Sequence, residues 1–466
     1  MESKAVELVN QLEQIVSPQW VKTGESDLNH FGKDWTKVFR PDPLAIVFPA
    51  SIAEVQEIVK QATANKVGLV PSGGRTGLSG GAVAEDQEIV VAFDRMNKIL
   101  DFDAIDRQVV CQPGVITEQL QQFAEDKELF YPVDFASSGS SQLGGNVATN
   151  AGGIKVIRYG MTRNWIVGMK IVTGTGELLD LNRGLTKSAT GYDFRHLFIG
   201  SEGTLGFIVE LTLALCSQPQ DPTVLLLGVE KMTDTMHVLK TFQSKLELTA
   251  FEFFSDRAMS HVIEEKGLQR PFATECAFYA LIEFENSSEQ DLEKAMELFE
   301  LCMEQGWIAD GTISQNTSQA QSLWRLREDI SETIAKFTPY KNDISVKVSK
   351  VPAFLEEVDA LVSKEYPDFE IIWFGHIGDG NLHLNILKPD DLETEKFYER
   401  CSKVSEWVFD LVNKYGGSIS AEHGIGILKK PFLHYSCSTE ELEYMRSIKR
   451  IFDPHNIMNP GKLVDL

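Results

Sequence analysis

Two short runs in the C-terminal third carry the residue types best able to do chemistry. GHIGDGNLHLN (375–385) places His376 and His383 seven residues apart, and SAEHGIG (420–426) sets Glu422 beside His423. Three of the nine histidines thus fall in two glycine-flanked stretches with an acidic neighbour. A lone histidine is ordinarily a satisfied core or surface residue. Two imidazoles and a carboxylate held by glycine turns instead suit a three-ligand metal site with open positions, as catalytic zinc requires. In LHLN the period-two alternation of a strand points His383 and Asn385 the same way. Gly375, Gly378 and Gly380 let the preceding turn fold His376 back beside them. Asp379 is the competing carboxylate, but its place between two glycines suits a turn role. An extended chain would point Glu422 and His423 in divergent directions, one to ligate and one to face a substrate. Upstream, SQAQSLWRLREDISETIAKF puts Arg327 and Ser331 one helical turn apart on one face, and Lys341 follows Pro339 at the opening of the strand DISVKV. On spacing alone, Arg327 reads as a surface charge.

A different chemistry is implied by three glycine clusters. PSGGRTGLSGGA (71–82) has five glycines in twelve residues, and SSGSSQLGGNVATNAGG (137–153) and GSEGTLG (200–206) repeat the pattern. Without a Cβ, successive backbone N–H groups can converge on an anion. One such loop is usually a plain turn; three within one domain point to a large, extended, phosphate-bearing cofactor. Neither GxGxxG nor GxxxxGK[ST] occurs, which excludes the common dinucleotide and Walker A fingerprints. Gly77-Leu78-Ser79-Gly80-Gly81 matches the GxSxG elbow of serine hydrolases, but that elbow needs a helix after the serine. Here glycine and then another strand follow.

The elements that must position these residues are legible from periodicity. PLAIVFP (43–49) reads as a buried strand, and Ser51 with Glu54 forms a capping-box signature for the next helix. VGLVP (67–71), EIVVAFD (88–94) and RQVVCQP (107–113) are further strands. A helix near 116–127 precedes the second glycine cluster; IVGMKIVTGTGELLDL reads as a hairpin and TLGFIVELTLALC (204–216) as a long apolar strand. SQPQDP (217–222) is a composition break. Beyond it TVLLLGVE, TAFEFF and AFYALIEF alternate with helices near 232–245, 288–304 and 317–336, which suits an antiparallel sheet covered by helices. The reading is an α+β protein with a first domain over 1–218, a second over 219–450 carrying the metal site, and a tail over 451–466 that returns to the first.

Composition bounds the partners. A chain of 466 residues exceeds one hydrophobic core. Acidic residues outnumber basic ones by 68 to 44, giving −24, and such a surface repels nucleic acid and anionic lipid. The six cysteines contain no CxxC pair, against a disulfide framework or a cysteine-ligated cluster. The acidic N-terminus is no signal peptide, and no apolar run reaches the roughly 18 residues of a membrane helix. A cytoplasmic protein is expected.

The run from PLAIVFPASIAEVQEIV through the three glycine clusters resembles the FAD-binding domain of the vanillyl-alcohol oxidase and p-cresol methylhydroxylase superfamily, in which FAD lies extended between two α+β lobes. The resemblance implies that Pro71, Ser72, Gly73, Gly74, Arg75, Thr76, Gly77 and Ser79 lie at the pyrophosphate loop. It places Ser137, Ser138, Gly144, Asn146, Thr149 and Gly152 along the cofactor, with Gly203 and Ile208 nearby. Members with covalent flavin carry histidine where this sequence has Arg75, so the FAD here is expected to be non-covalent. AFEFFS, LWRLRED, PYKNDISV, GHIGDGNLHLN, SAEHGIG and DPHNIMNPGKL resemble the C-terminal half of D-lactate, glycolate and D-2-hydroxyglutarate dehydrogenases, and are most similar to the last. This reverses the reading of Arg327. Arg327, Ser331 and Lys341 become binders of substrate carboxylates, and His376, His383 and Glu422 become ligands of a divalent metal, zinc favoured. Asn385 becomes a substrate or metal-site contact, His423 the general base, and Asn459 a contact to flavin. The implied reaction is metal-assisted oxidation of a D-2-hydroxy acid, D-2-hydroxyglutarate leading with D-malate or D-lactate behind; a D-lactate or glycolate dehydrogenase of the same family is the alternative. Electrons would leave to a partner flavoprotein or quinone. A zinc hydrolase and a non-catalytic flavin-binding module are the alternatives from other classes.

Overall fold

The computed structural model describes residues 2–36, 38–286 and 288–466. They form two compact units. The first comprises Met1–Gly152, Met161–Gln218 and Glu422–Leu466; the second comprises Gly153–Gly160 and Pro219–Ala421. The sequence reading keeps 422–450 in the second domain and 153–160 in the first; by packing, each belongs to the other unit.

The first unit holds two main sheets and a two-stranded antiparallel pair, Leu129–Phe130 with Cys216–Ser217. In one, Ala45–Val47 and Leu69–Ser72 run parallel to the central Ile89–Ala92, and Val21–Lys22 adds an antiparallel edge. Ala45–Val47 and Ile89–Ala92 are continuous apolar runs, buried at every position, because both faces are covered. On one side, helix Ile52–Asn65 buries Val55, Ile58, Val59 and Ala62, a spacing of three and four, against Ala45, Val47 and Leu69. Ser51 caps it by accepting from Glu54 N. The Glu54 carboxylate reaches back to Ala50 N at 2.7 Å, one residue before the position a capping box uses. The second sheet is antiparallel, in the order Ile99–Asp103, Gln108–Cys111, Gly206–Ala214, Ile166–Thr173, Leu178–Leu181. Its long strand shifts register between Ile208 and Glu210. Phe207 and Val209 accordingly join the core of the first sheet, while Leu211 and Leu213 join that of the second.

The second unit is built on one seven-stranded antiparallel sheet. Its order is Asp310–Ile313, Pro222–Val229, Phe278–Glu285, Leu248–Ser255, Ile371–Gly375, Asn381–Ile386, Tyr340–Ser345. Helix Thr317–Glu328 buries Ala320, Leu323 and Trp324 against Val224, Leu226 and Leu281. The sequence predicts this helix to run to 336; it is interrupted at Asp329, and a short helix, Ile330–Ile334, follows. Among the described residues no helix is long and apolar enough to cross a membrane.

Candidate active site

In the first unit the three glycine clusters meet. Leu69–Ser72 ends in the first cluster, where a Cβ on Gly74 would stand 2.2 Å from Ser140 O and 2.8 Å from Ser141 Cα. Only glycine allows that approach. Gly203, with φ +72°, lies against Pro71, and Glu202 N donates to Ala148 O at 2.8 Å, so the third cluster packs on both others. Gly144 sits on Pro113, whereas nothing stands within 4 Å of a Cβ built on Gly145. The loop tail joins from the far end of the chain: Asn459 Nδ2 donates to Gly81 O (2.8 Å) and Glu202 O (2.7 Å), and its backbone N–H donates to Leu69 O.

Several of the predicted cofactor residues are held by protein groups. Arg75 has φ +61°; its guanidinium pairs with Asp94 at 3.2 Å, donates to Gly73 O and lies over the Phe31 ring. Asn146 donates to Thr117 Oγ1, and the Thr149 hydroxyl donates to Gly145 O. Ser137 and Ser138 lend carbonyls to Ser140, Ser141 and Glu118. Ser79 O accepts from Ile427 and Leu428 N, Ser72 is buried at its strand end, Thr76 and Gly77 follow in the loop, and Gly152 and Ile208 are buried. Against these, Gln142 Oε1 and Asn459 Oδ1 are buried without a partner. Such orphans are costly unless something supplies a hydrogen. With Gly145 open near Gln142, the loops fit an extended polar cofactor.

The run Glu422–Gly426 also lies in this unit. Buried Glu202 accepts from Ile425 N at 2.6 Å and Gly426 N at 2.7 Å, and burial holds its carboxyl above the usual range. The chain there is bent rather than extended, with Gly424 and Gly426 at positive φ. His423 Nε2 and Glu422 Oε1 therefore approach to 3.7 Å instead of diverging.

In the second unit, the strand register places the remaining residues. Asn381–Ile386 runs between Tyr340–Ser345 and Ile371–Gly375, so His383 stands opposite Asp343 and Phe374, and Asn385 opposite Lys341 and Ile372. Gly380, with φ +88°, closes the turn from His376, where a side chain would strike Val346 O. That turn brings the His376 and His383 rings to 5.4 Å between centroids, edge to face. Asp379 accepts from Asn381 N within it, as a turn residue does, and burial pushes its carboxyl up to about 6. Fully buried Glu252 hydrogen-bonds His376 Nδ1 at 2.8 Å through one oxygen, and its other oxygen forms an ion pair with Arg327 Nη2 at 2.8 Å without hydrogen-bond geometry. The Arg327 guanidinium stacks on Phe374 and its Nε is buried without a partner. Arg327 is thus an interior cation, not the surface charge its spacing suggests. Ser331 falls beyond the interruption at Asp329, in the short helix, and is half-buried.

Residues 43–182 match the FAD binding domain family, and residues 218–463 match the family of the C-terminal domain of FAD linked oxidases. D-2-hydroxyglutarate dehydrogenase of Stutzerimonas stutzeri is 62% identical over 98% of both chains. That of Xanthomonas citri pv. viticola is 52% identical over 97% of this chain and 96% of its own. The chain belongs to the FAD-dependent D-2-hydroxy acid dehydrogenases. A putative mitochondrial D-lactate dehydrogenase of Schizosaccharomyces pombe is 38% identical over 95% of this chain and 86% of its own. Two solved structures share the fold. They are p-cresol methylhydroxylase (TM-score 0.77, 14% identity, 100% of this chain and 98% of that one) and the 4-ethylphenol oxidase of Gulosibacter chungangensis (0.78, 15%, 100% and 98%). Membership in a flavoenzyme family replaces both alternatives, the zinc hydrolase and the non-catalytic module.

Three carboxylates of this dehydrogenase escape sequence reasoning: Glu252, Asp343 and Glu202. Asp343 accepts from Asn381 Nδ2 at 2.9 Å and lies 3.9 Å from His383 Nδ1. The signal for Glu252 was present: it is an acid inside a largely apolar strand, and a buried carboxylate must find cations or donors. Asp343 lies in the polar run YKNDIS and carries no such signal.

Proposed function

We propose that this dehydrogenase oxidises D-2-hydroxyglutarate to its 2-oxo acid, with D-malate as a second substrate, assisted by a divalent cation held by His376, His383 and Glu422. The observation that carries the reading is Arg327: a buried, always-charged guanidinium with an unpartnered Nε, held beside His376 by Glu252. A desolvated arginine with spare donor capacity suits a carboxylate, which it grips bidentately. With Lys341 opposite Asn385 in the same sheet, two basic groups favour a dicarboxylate over lactate or glycolate. The relatives named above, which act on D-2-hydroxyglutarate by their names, support the same choice.

When bound, the flavin supplies a hydride acceptor and the cation a Lewis acid able to lower the hydroxyl pKa, as it lowers that of bound water toward about 7. The imidazole and carboxylate donors suit zinc. The other tasks fall to the chain. Arg327 and Lys341 bind the carboxylates and Ser331 adds a hydroxyl donor, which fixes C2 in one orientation. His423, whose unperturbed pKa of roughly 6.5 suits neutral pH, takes the hydroxyl proton. Asn385 contacts the substrate or the ligand set. Gln142 and Asn459 offer their buried oxygens to the cofactor in the first unit. FAD is held without a covalent link, since Arg75 offers no attachment atom. Electrons pass on to a partner flavoprotein or a quinone.

The test is anaerobic bleaching of the flavin by a panel of D- and L-2-hydroxy acids. D-2-hydroxyglutarate should reduce it fastest, D-malate more slowly and the L-acids not at all. Equal bleaching by D-lactate and D-2-hydroxyglutarate would overturn the assignment of a dicarboxylate.

A further inference from the structure

We infer that Glu252 is a positioning residue serving two masters: it fixes the tautomer of His376 for the cation and simultaneously aims Arg327 at the substrate. This rests on the proposed cation site and deepens it. Glu252 lies at the centre of Leu248–Ser255, a strand buried at every position. A carboxylate does not persist there unless its charge is compensated. Its two oxygens are divided. Oε1 faces His376 Nδ1 at 2.8 Å, and Oε2 faces Arg327 Nη2 at 2.8 Å.

The first contact has a chemical consequence. A neutral imidazole that donates Nδ1–H to a carboxylate carries its lone pair on Nε2, with its ring orientation fixed and its basicity raised. His376 is thereby presented as an Nε2 ligand. The second contact fixes the guanidinium against the Phe374 face at 4.8 Å, and Phe374 also pairs with His383 across the sheet. Glu252 therefore links the substrate clamp to the ligand pair. Buried Glu283, in the next strand, has a different set of partners, Lys155, Thr249 and Trp324, and touches neither His376 nor Arg327.

The experiment uses the FAD-loaded full chain, depleted of metal with EDTA and titrated with Zn²⁺ alone, beside steady-state kinetics. Glu252→Gln keeps the shape but loses the charge. It should weaken Zn²⁺ binding 10- to 100-fold, the range found when such carboxylate partners are removed. It should also raise KM for D-2-hydroxyglutarate at least tenfold, with the flavin spectrum unchanged. Glu252→Asp, one methylene shorter, should recover one contact and not both, improving either Zn²⁺ affinity or KM alone. Glu283→Gln is the comparison for general damage and should lower Tm without moving Zn²⁺ affinity. The inference is overturned if Glu252→Gln binds Zn²⁺ within threefold of wild type, or if Glu283→Gln weakens it equally. Failure of the underlying reading looks different: the wild-type enzyme itself would take up no Zn²⁺, and His376→Ala would change nothing.

Discussion

Arg327 has few ways to be innocent. An arginine 6% exposed, paired on one side and unpartnered at Nε, costs stability unless a ligand repays it. Arg327→Ala should lower kcat/KM for D-2-hydroxyglutarate at least a hundredfold, about 3–5 kcal/mol of transition-state binding. Steady-state assay of the pure variant checks this; a change within threefold would remove Arg327 from substrate binding. His423→Gln should abolish turnover while flavin and metal content stay at wild-type levels. Loss of metal in that variant would mean that His423 is a ligand and that the base lies elsewhere. At this scale the sequence was legible where chemistry is declared by residue type, as in the histidines of GHIGDGNLHLN. It named no partner for Glu252, because the contact with His376 spans 124 positions and depends on two strands meeting in a sheet. Arg327 was misread from spacing alone for the same reason. Helical periodicity says which residues share a face, not whether a carboxylate waits opposite.

Elements impose tighter demands than any one side chain. The first glycine cluster must let its backbone lie on 140–142, and the space there admits no Cβ at Gly74. Gly74→Ala should therefore purify with less than half the flavin of wild type, read from the ratio of visible to ultraviolet absorbance. Full flavin content would show that the loop contact is dispensable. Most of the element pattern could be read ahead, since buried strands such as PLAIVFP and the Ser51 cap announce themselves through composition and spacing. Two details could not. The helix predicted over 317–336 breaks at Asp329, although no glycine or proline marks the place. The pairing of Asn385 with Lys341 is a property of sheet register, which a single strand does not encode.

For the whole molecule, the informative fact is how the chain is shared between units. The flavin loops and the Glu422–Gly426 run belong to one unit, and Arg327, His376 and His383 to the other. The composition break at SQPQDP marks one crossing, but that at Ala421 falls inside SAEHGIG, whose glycines and histidine read as a site loop and not as a boundary. If the FAD is held without a covalent link, as proposed above, it should appear in the supernatant after acid precipitation; flavin retained in the pellet would contradict that.

The most direct measurement is stopped-flow flavin reduction by D-2-hydroxyglutarate under anaerobic conditions, before and after metal removal. The account predicts that EDTA-treated enzyme keeps its flavin spectrum, loses at least a hundredfold in reduction rate, and regains it when Zn²⁺ is restored. Unchanged reduction by an enzyme shown to hold no metal would contradict it.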